Sequence, residues 1–155
     1  MNHSTEPRIE DCGPAFEQAG LLHIVRQPAG DGPHPTAVLI QGRAGNEEVM
    51  WVFARTIPDN WLLVAPRAIV EDPEEGGFSW HLPTGELPTL SQVDEAVERL
   101  THLINALPKL YNADPDQLYL MGFSQGAAAS FALTFAQPDL VQGIAALVGF
   151  VPYES

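Results

Sequence analysis

The stretch Gln117–Ala128, QLYLMGFSQGAA, decides the fold. Gln117 to Phe123 is an apolar run that reads as a strand buried in a sheet, and the alanine-rich run Gln125 to Ala136 reads as a helix. Between them Gly122-Phe123-Ser124-Gln125-Gly126 is a Gly-x-Ser-x-Gly sequence. Passing from strand to helix in so few residues demands a very tight turn. Such a turn leaves no room for side chains two residues either side of Ser124, and glycine meets that demand on both flanks. It lifts the serine hydroxyl out of the carboxyl end of the sheet. It also sets that hydroxyl at a helix N-terminus, where backbone N–H groups face a developing negative charge. The same residues also fit a glycine-tight turn with a merely capping serine.

Outward from this turn the same alternation recurs. Thr36 to Ile40 (TAVLI), Trp61 to Ala65 (WLLVA) and Gly143 to Phe150 (GIAALVGF) are further apolar runs, and Leu21 to Gln27 reads as a short strand. Asn46 stands where it can cap a helix, with Glu47 and Glu48 in its first turn. Val49, Val52, Phe53 and Thr56 follow at helical spacing before Pro58. Val93, Val97, Leu100, Ile104 and Leu107 form one face of an amphipathic helix, opened by a Ser91/Asp94 capping box, with Pro108 near its end. Asn112 to Asp116 reads as a turn, and residues 66–88 as a long loop of the kind that carries function. Strands alternating with helices predict an α/β fold around a mainly parallel sheet. Residues 1–20, broken by Pro7, Gly13 and Pro14, read as a loose arm ahead of a domain over 21–155.

Composition narrows the function. The 155 residues suffice for one domain or a piece of a larger one. Twenty Asp and Glu against 7 Lys and Arg give a net charge of −13. No basic cluster exists to neutralise phosphate, which disfavours nucleic acid and anionic membrane surfaces as partners. No apolar run reaches the ~18–20 residues that cross a bilayer, and the first residues lack the apolar core of a signal peptide, so the expected compartment is the cytoplasm. The single cysteine, Cys12, leaves no disulfide framework and no multi-cysteine metal site.

Acyl transfer needs two backbone donors aimed at the oxyanion. The N–H of Gln125, the residue after the serine, supplies one. Gln41-Gly42-Arg43-Ala44-Gly45 follows an earlier strand and precedes a helix, so the N–H of Arg43 is the natural second donor. Phe78, Trp80 and Leu82 read either as an apolar wall for an acyl chain or as packing that anchors their loop.

With these residues in place, the chain from about 36 to 152 resembles the phospholipase/carboxylesterase branch of the α/β-hydrolases, which includes acyl-protein thioesterases and small bacterial carboxylesterases. The resemblance rests on GFSQGA at 122–127, QGRAG at 41–45, VAPRA at 64–68, GGFSW at 76–80 and GIAALVGFVP at 143–152. It implies hydrolysis of carboxylic esters or thioesters through a serine acyl-enzyme at Ser124, without metal or organic cofactor. The family usually has His-Gly where this chain has Gln41-Gly42. The donor is a backbone group, so the exchange leaves it in place.

The serine needs a histidine base and a carboxylate to orient it, and in this fold they follow it in the order acid, then histidine. After Ser124 the sequence holds Asp139, in the turn after the helix, and Glu154, but no histidine. His3, His23, His34, His81 and His102 all precede it, and only His81 sits in a loop expected to approach the carboxyl end of the sheet. The chain therefore reads as the N-terminal two-thirds to three-quarters of a hydrolase. Strand 143–150 would then be an uncovered sheet edge inviting self-association. The competing reading is a non-catalytic binding module that kept the esterase pocket.

Overall fold

The computed structural model describes residues 6–82 and 89–152. In it Pro14 opens a helix rather than breaking the chain. Strand β1 (Arg8–Glu10) pairs antiparallel with β2 (His23–Arg26), setting Ile9 opposite Ile24. Helix α1 (Gly13–Ala19) has Pro14 in its first turn and ends on Gly20 at φ 77°. Proline fits a position whose N–H has no partner anyway, and glycine fits the left-handed cap. Ala19 is fully buried, and the Arg99 side chain donates to the Gly20 carbonyl at 2.7 Å. The expected loose arm is thus corrected for residues 6–20. Its prolines and glycines mark the ends of elements, and the fold begins by Arg8 rather than at residue 21. Residues 1–5, with His3, lie outside the described residues.

The main sheet continues with β3 (His34–Ile40) and β4 (Leu62–Pro66). After them come a small hairpin of β5 (Val70–Glu71) and β6 (Phe78–Ser79), helix α2 (Asp94–Tyr111), β7 (Ala113–Phe123), helix α3 (Gln125–Ala136) and β8 (Gly143–Leu147). The strand order is β1-β2-β4-β3-β7-β8, with β4, β3, β7 and β8 mutually parallel. Side chains alternate between faces. Val38, Ile40, Leu62 and Val64 pack with Leu100, Leu107 and Leu133 of the helices, while Ala37, Leu39, Leu63 and Ala65 pack with Met50 and Ala54 on the other face. Burial on both faces explains why these strands read as unbroken apolar runs rather than alternating ones. The chain is therefore an α/β fold with a mainly parallel sheet.

Local boundaries depart from the sequence reading in identifiable ways. The segment after β3 is a 3-10 helix, Val49–Thr56, not an α-helix starting at Asn46. Asn46 instead accepts the Glu48 N–H at 2.8 Å, and Glu47 turns inward to a two-pronged bond with Arg67 at 2.8 and 2.7 Å. The capping box before α2 uses Thr89 and Gln92 in place of Ser91 and Asp94. Part of the long loop is the β5–β6 hairpin, and residues 83–88 of it are outside the described residues. Strand β8 stops at Leu147 instead of Phe150, as Val148 turns to φ 51°. It ends the sheet order, and no described strand pairs with its outer edge.

Candidate active site

Ser124 lies at the junction of β7 and α3 with φ 54° and ψ −112°, a backbone conformation that β-carbon-bearing residues rarely adopt. Strain of this kind persists only where the surroundings enforce it. Here they do. A Cβ on Gly122 would come within 2.5 Å of the Gly126 carbonyl oxygen, and one on Gly126 within 2.2 Å of the Ile40 oxygen and 2.4 Å of the Gln41 oxygen. Both glycines are thus needed for helix α3 to start against β3 and β7. The Ser124 N–H donates to Leu147 O at 2.9 Å, so the end of β8 also holds the turn. Ser124 is half-buried at the carboxyl end of the sheet.

The loop after β3 packs directly on this turn. A Cβ on Gly42 would touch the Phe123 oxygen at 3.1 Å and Ser124 Cβ at 3.6 Å. Gln125 is the first residue of α3, so its N–H has no acceptor inside the helix. No described residue accepts that N–H or the N–H of Arg43. The Arg43 side chain turns away, donating to Asp72 Oδ2 at 2.9 Å. Asp72 Oδ1 also takes the N–H groups of Glu74 and Glu75, each at 3.0 Å. These backbone N–H donors, led by Glu75, together with the Arg43 guanidinium hold its carboxyl down to about 2. Ser79 Oγ ties the loop after β3 to the turn after β5: it accepts the Ala44 N–H at 2.9 Å and donates to Asp72 Oδ2 at 3.3 Å. Gly77, at φ 64°, lies so near that a Cβ there would meet the Ala44 oxygen at 2.3 Å. The β5–β6 hairpin therefore braces residues 42–45, a role with no local sequence signal.

Gln41 completes the anchoring. Its Nε2 donates to Phe78 O at 2.7 Å and Gly42 O at 3.0 Å, and its Oε1 accepts the Ala68 N–H at 2.9 Å. Every hydrogen-bonding end of this buried amide is used, so glutamine fixes the loop at the position where the resemblance leads one to expect histidine.

Of the two readings of Phe78, Trp80 and Leu82, pocket wall or loop-anchoring packing, Trp80 takes the packing role. Trp80 is 1% exposed and belongs to the core, because its indole N–H finds Gln41 O at 2.9 Å and its main-chain N–H finds Gln125 Oε1 at 2.7 Å. Phe78 lies half-buried beneath the Arg67 guanidinium, 4.4 Å from its ring centre. Leu82 is exposed and borders a small pocket with Arg43 and Asp72. The cleft onto which Ser124 opens, about 490 Å³, is walled instead by Val49, Val52, Phe53 and Phe123. The clue in the sequence was Val49 and Val52 themselves, placed one turn apart.

The histidines are scattered. His23 is buried between Leu21 O and the Tyr111 hydroxyl, His34 is buried at the start of β3, and exposed His102 bonds to Gln18 O. His81 touches the elbow through its main chain: its carbonyl accepts Gln125 Nε2 at 3.1 Å. Its Nδ1 lies 3.1 Å from Leu82 O, and its buried Nε2 has no hydrogen-bond partner among the described residues. No described side chain hydrogen-bonds the Ser124 hydroxyl. Asp139 is exposed in the turn after α3, and Glu154 is outside the described residues. Among the described residues no group of three or more His, Cys, Asp or Glu could hold a metal ion, and no helix is long and apolar enough to cross a membrane.

Comparison with known proteins extends this picture. The chain is similar to the carboxylesterase from Mesorhizobium loti, with a TM-score of 0.74 at 18% identity, covering 96% of this chain and 68% of that one. It is also similar to the Bacillus cereus carboxylesterase, with a TM-score of 0.69 at 19% identity, over 90% of this chain and 65% of that one. At such identities the likeness establishes the fold. In sequence it is 26% identical over 125 residues to "Putative esterase NocK" of Nocardia uniformis subsp. tsuyamanensis, spanning 81% of this chain but only 36% of that protein. The phospholipase/carboxylesterase family model matches residues 29–155, which include the elbow, the loop after β3 and the β5–β6 brace, and the chain belongs to that hydrolase family.

Proposed function

We propose that the chain carries the nucleophile and oxyanion-binding half of a serine hydrolase that cleaves small-molecule carboxylic esters or thioesters through an acyl-enzyme. The observation that carries this reading is the enforced conformation of Ser124 between Gly122 and Gly126, at the mouth of an apolar cleft. Ser124 Oγ attacks the acyl carbon, and the carbonyl oxygen, as it becomes an oxyanion, is received by the N–H groups of Gln125 and Arg43. A base takes the hydroxyl proton and returns it to the leaving alcohol or thiol. Water then repeats the cycle and frees the acid. No organic cofactor or metal enters these steps as written. The sequence after Ser124 contains no histidine, so the base is the missing participant in this chain.

Hydrolysis of p-nitrophenyl acetate by the 155-residue chain and by Ser124→Ala, with and without added imidazole, tests this. Without imidazole the expected turnover is weak, since a triad lacking a member retains only roughly 10³–10⁴-fold over water. Imidazole should accelerate the wild type beyond its own background, measured with Ser124→Ala. Equal rates for the two proteins at every imidazole concentration would remove the acyl-enzyme reading and favour a binding module. Ser124-dependent hydrolysis at ordinary esterase rates without imidazole would point to a base within the chain, and His81→Ala is then the decisive variant.

A further inference from the structure

Val49 and Val52 are 47% and 57% exposed, and Phe123 is 39% exposed. Isolated apolar side chains on a surface need no explanation, but these three border one cleft, together with Phe53 and Ser124. A 3-10 helix has three residues per turn, so Val49 and Val52 stack into one continuous ridge. Val49 stands next to the loop after β3: a Cβ on Gly45 would lie 3.1 Å from its Cγ2. Val52 is about 6 Å further along, at ~2.0 Å rise per residue. Among the described residues that line the cleft the charged side chain is Arg43, and it is committed to Asp72 and Glu74. Among those described residues an anionic chain therefore meets no free cation and a cationic chain no carboxylate. A volume of about 490 Å³ lies within the usual range for small-molecule sites.

We propose that this cleft seats an unbranched, uncharged aliphatic chain of the ester substrate, and that Val52 sets the length it rewards. The proposal rests on the reading of Ser124 as the point of attack. The first carbons of the chain lie against Val49 and Phe123, and only longer chains reach Val52. Short acetyl groups stop before it.

Non-hydrolysable amides test this without any catalysis. N-methyl amides of acetic, butyric, hexanoic and octanoic acid place the chain on the acyl side, and N-alkyl acetamides of matching length place it on the alcohol side. Binding to the 155-residue chain is followed by amide chemical shifts in NMR titrations. In one of the two series the dissociation constant should fall by up to about fourfold per added methylene. The steeper series identifies the side of the ester that the cleft receives. Val52→Asp should erase the gain for the hexanoyl and octanoyl lengths while leaving the shortest ligand unchanged. Val52→Phe should move the plateau to shorter chains, which keeps the test open if the aspartate variant folds poorly. Affinity independent of chain length in both series, or length dependence untouched by both variants, overturns the proposal. Length-dependent binding alongside equal hydrolysis by wild type and Ser124→Ala would defeat the esterase reading alone. Ser124-dependent hydrolysis without length-dependent binding would defeat the cleft assignment alone.

Discussion

Gln125 Oε1 accepts the main-chain N–H of Trp80 at 2.7 Å. The other end of the same amide donates to His81 O, and the Trp80 indole reaches back to Gln41 O. The residue after Ser124 thus locks residues 80–81 against the elbow, while its own N–H has no acceptor among the described residues. Gln125→Ala would leave the buried Trp80 N–H unpaired, at a cost of ~1–3 kcal/mol. Urea denaturation should show a midpoint lowered accordingly with an unchanged slope. An unchanged midpoint would mean that the Trp80 N–H finds another acceptor.

The two kinds of glycine in this chain separate steric from conformational demands. Gly126→Ala would drive a Cβ into the Ile40 and Gln41 carbonyls, which are backbone and cannot swing aside. Gly30→Ala meets nothing within 4 Å and suffers only from its φ of 95°. The second change should cost ~1–2 kcal/mol. The first should cost more, since overpacking alone costs ~1–3 kcal/mol and here strand β3 or helix α3 must move. Thermal melts of the two variants side by side check the ordering, and a Gly126→Ala protein as stable as Gly30→Ala would contradict the close approach of α3 to β3.

Much of this fold is legible in the chain because the decisive residues act locally. Thr36–Ile40 and Leu62–Ala65 are apolar without interruption since both faces of the central strands are covered. Gly122 and Gly126 are readable because a strand-to-helix turn around Ser124 demands them. The reading failed where a residue's role depends on distant partners. Trp80 suited a pocket wall and loop packing alike; its two N–H groups are taken 39 and 45 residues away in sequence, by Gln41 and Gln125, and those bonds draw it inward. Asp72 gave no signal, because its value lies in meeting Arg43, 29 residues distant. Val49, Val52 and Phe53 suit either kind of helix, and the tighter 3-10 winding is what aligns the two valines on the cleft. Pro14 suits both a loose arm and a first helical turn, and the burial of Ala19 decides between them.

Asp72 makes the brace of the loop after β3 sensitive to acid. Its carboxyl titrates near about 2 when folded, below its ordinary value of 3.8. Between those values the unfolded chain binds more protons than the folded one, so the stabilisation is complete above the unfolded value and is lost as pH falls toward 2. Asp72→Asn cannot titrate and loses the charge that Arg43 faces. The melting temperatures of wild type and variant should differ most near neutral pH and converge as the pH drops from about 4 to about 2. A constant gap across that window would show that Asp72 contributes through shape alone.

His23 should impose a second, milder pH dependence with its own window. The ring is fully buried between the Leu21 carbonyl, 2.8 Å from Nδ1, and the Tyr111 hydroxyl, 2.7 Å from Nε2. A carbonyl only accepts, so Nδ1 carries the hydrogen and Nε2 accepts from Tyr111, whose own pKa burial raises to about 12. Burial lowers the His23 pKa from 6.5, outweighing the Leu21 carbonyl and Glu10, which favour the charged ring, while Arg8 adds to the lowering. Protonation also leaves two donors, Nε2–H and the Tyr111 hydroxyl, facing each other until the hydroxyl turns. The unfolded chain therefore takes up the proton first as pH falls through 6.5, and folded stability declines from there downward. His23→Gln keeps a donor and an acceptor but does not titrate. Thermal melts at about pH 7.5 and about pH 5.5 should show a larger loss for wild type than for His23→Gln, with the remaining histidines contributing equally to both. Parallel curves would mean that Tyr111 turns its hydroxyl to accept from the charged ring at no cost, and that the β2–α2 contact is indifferent to the proton.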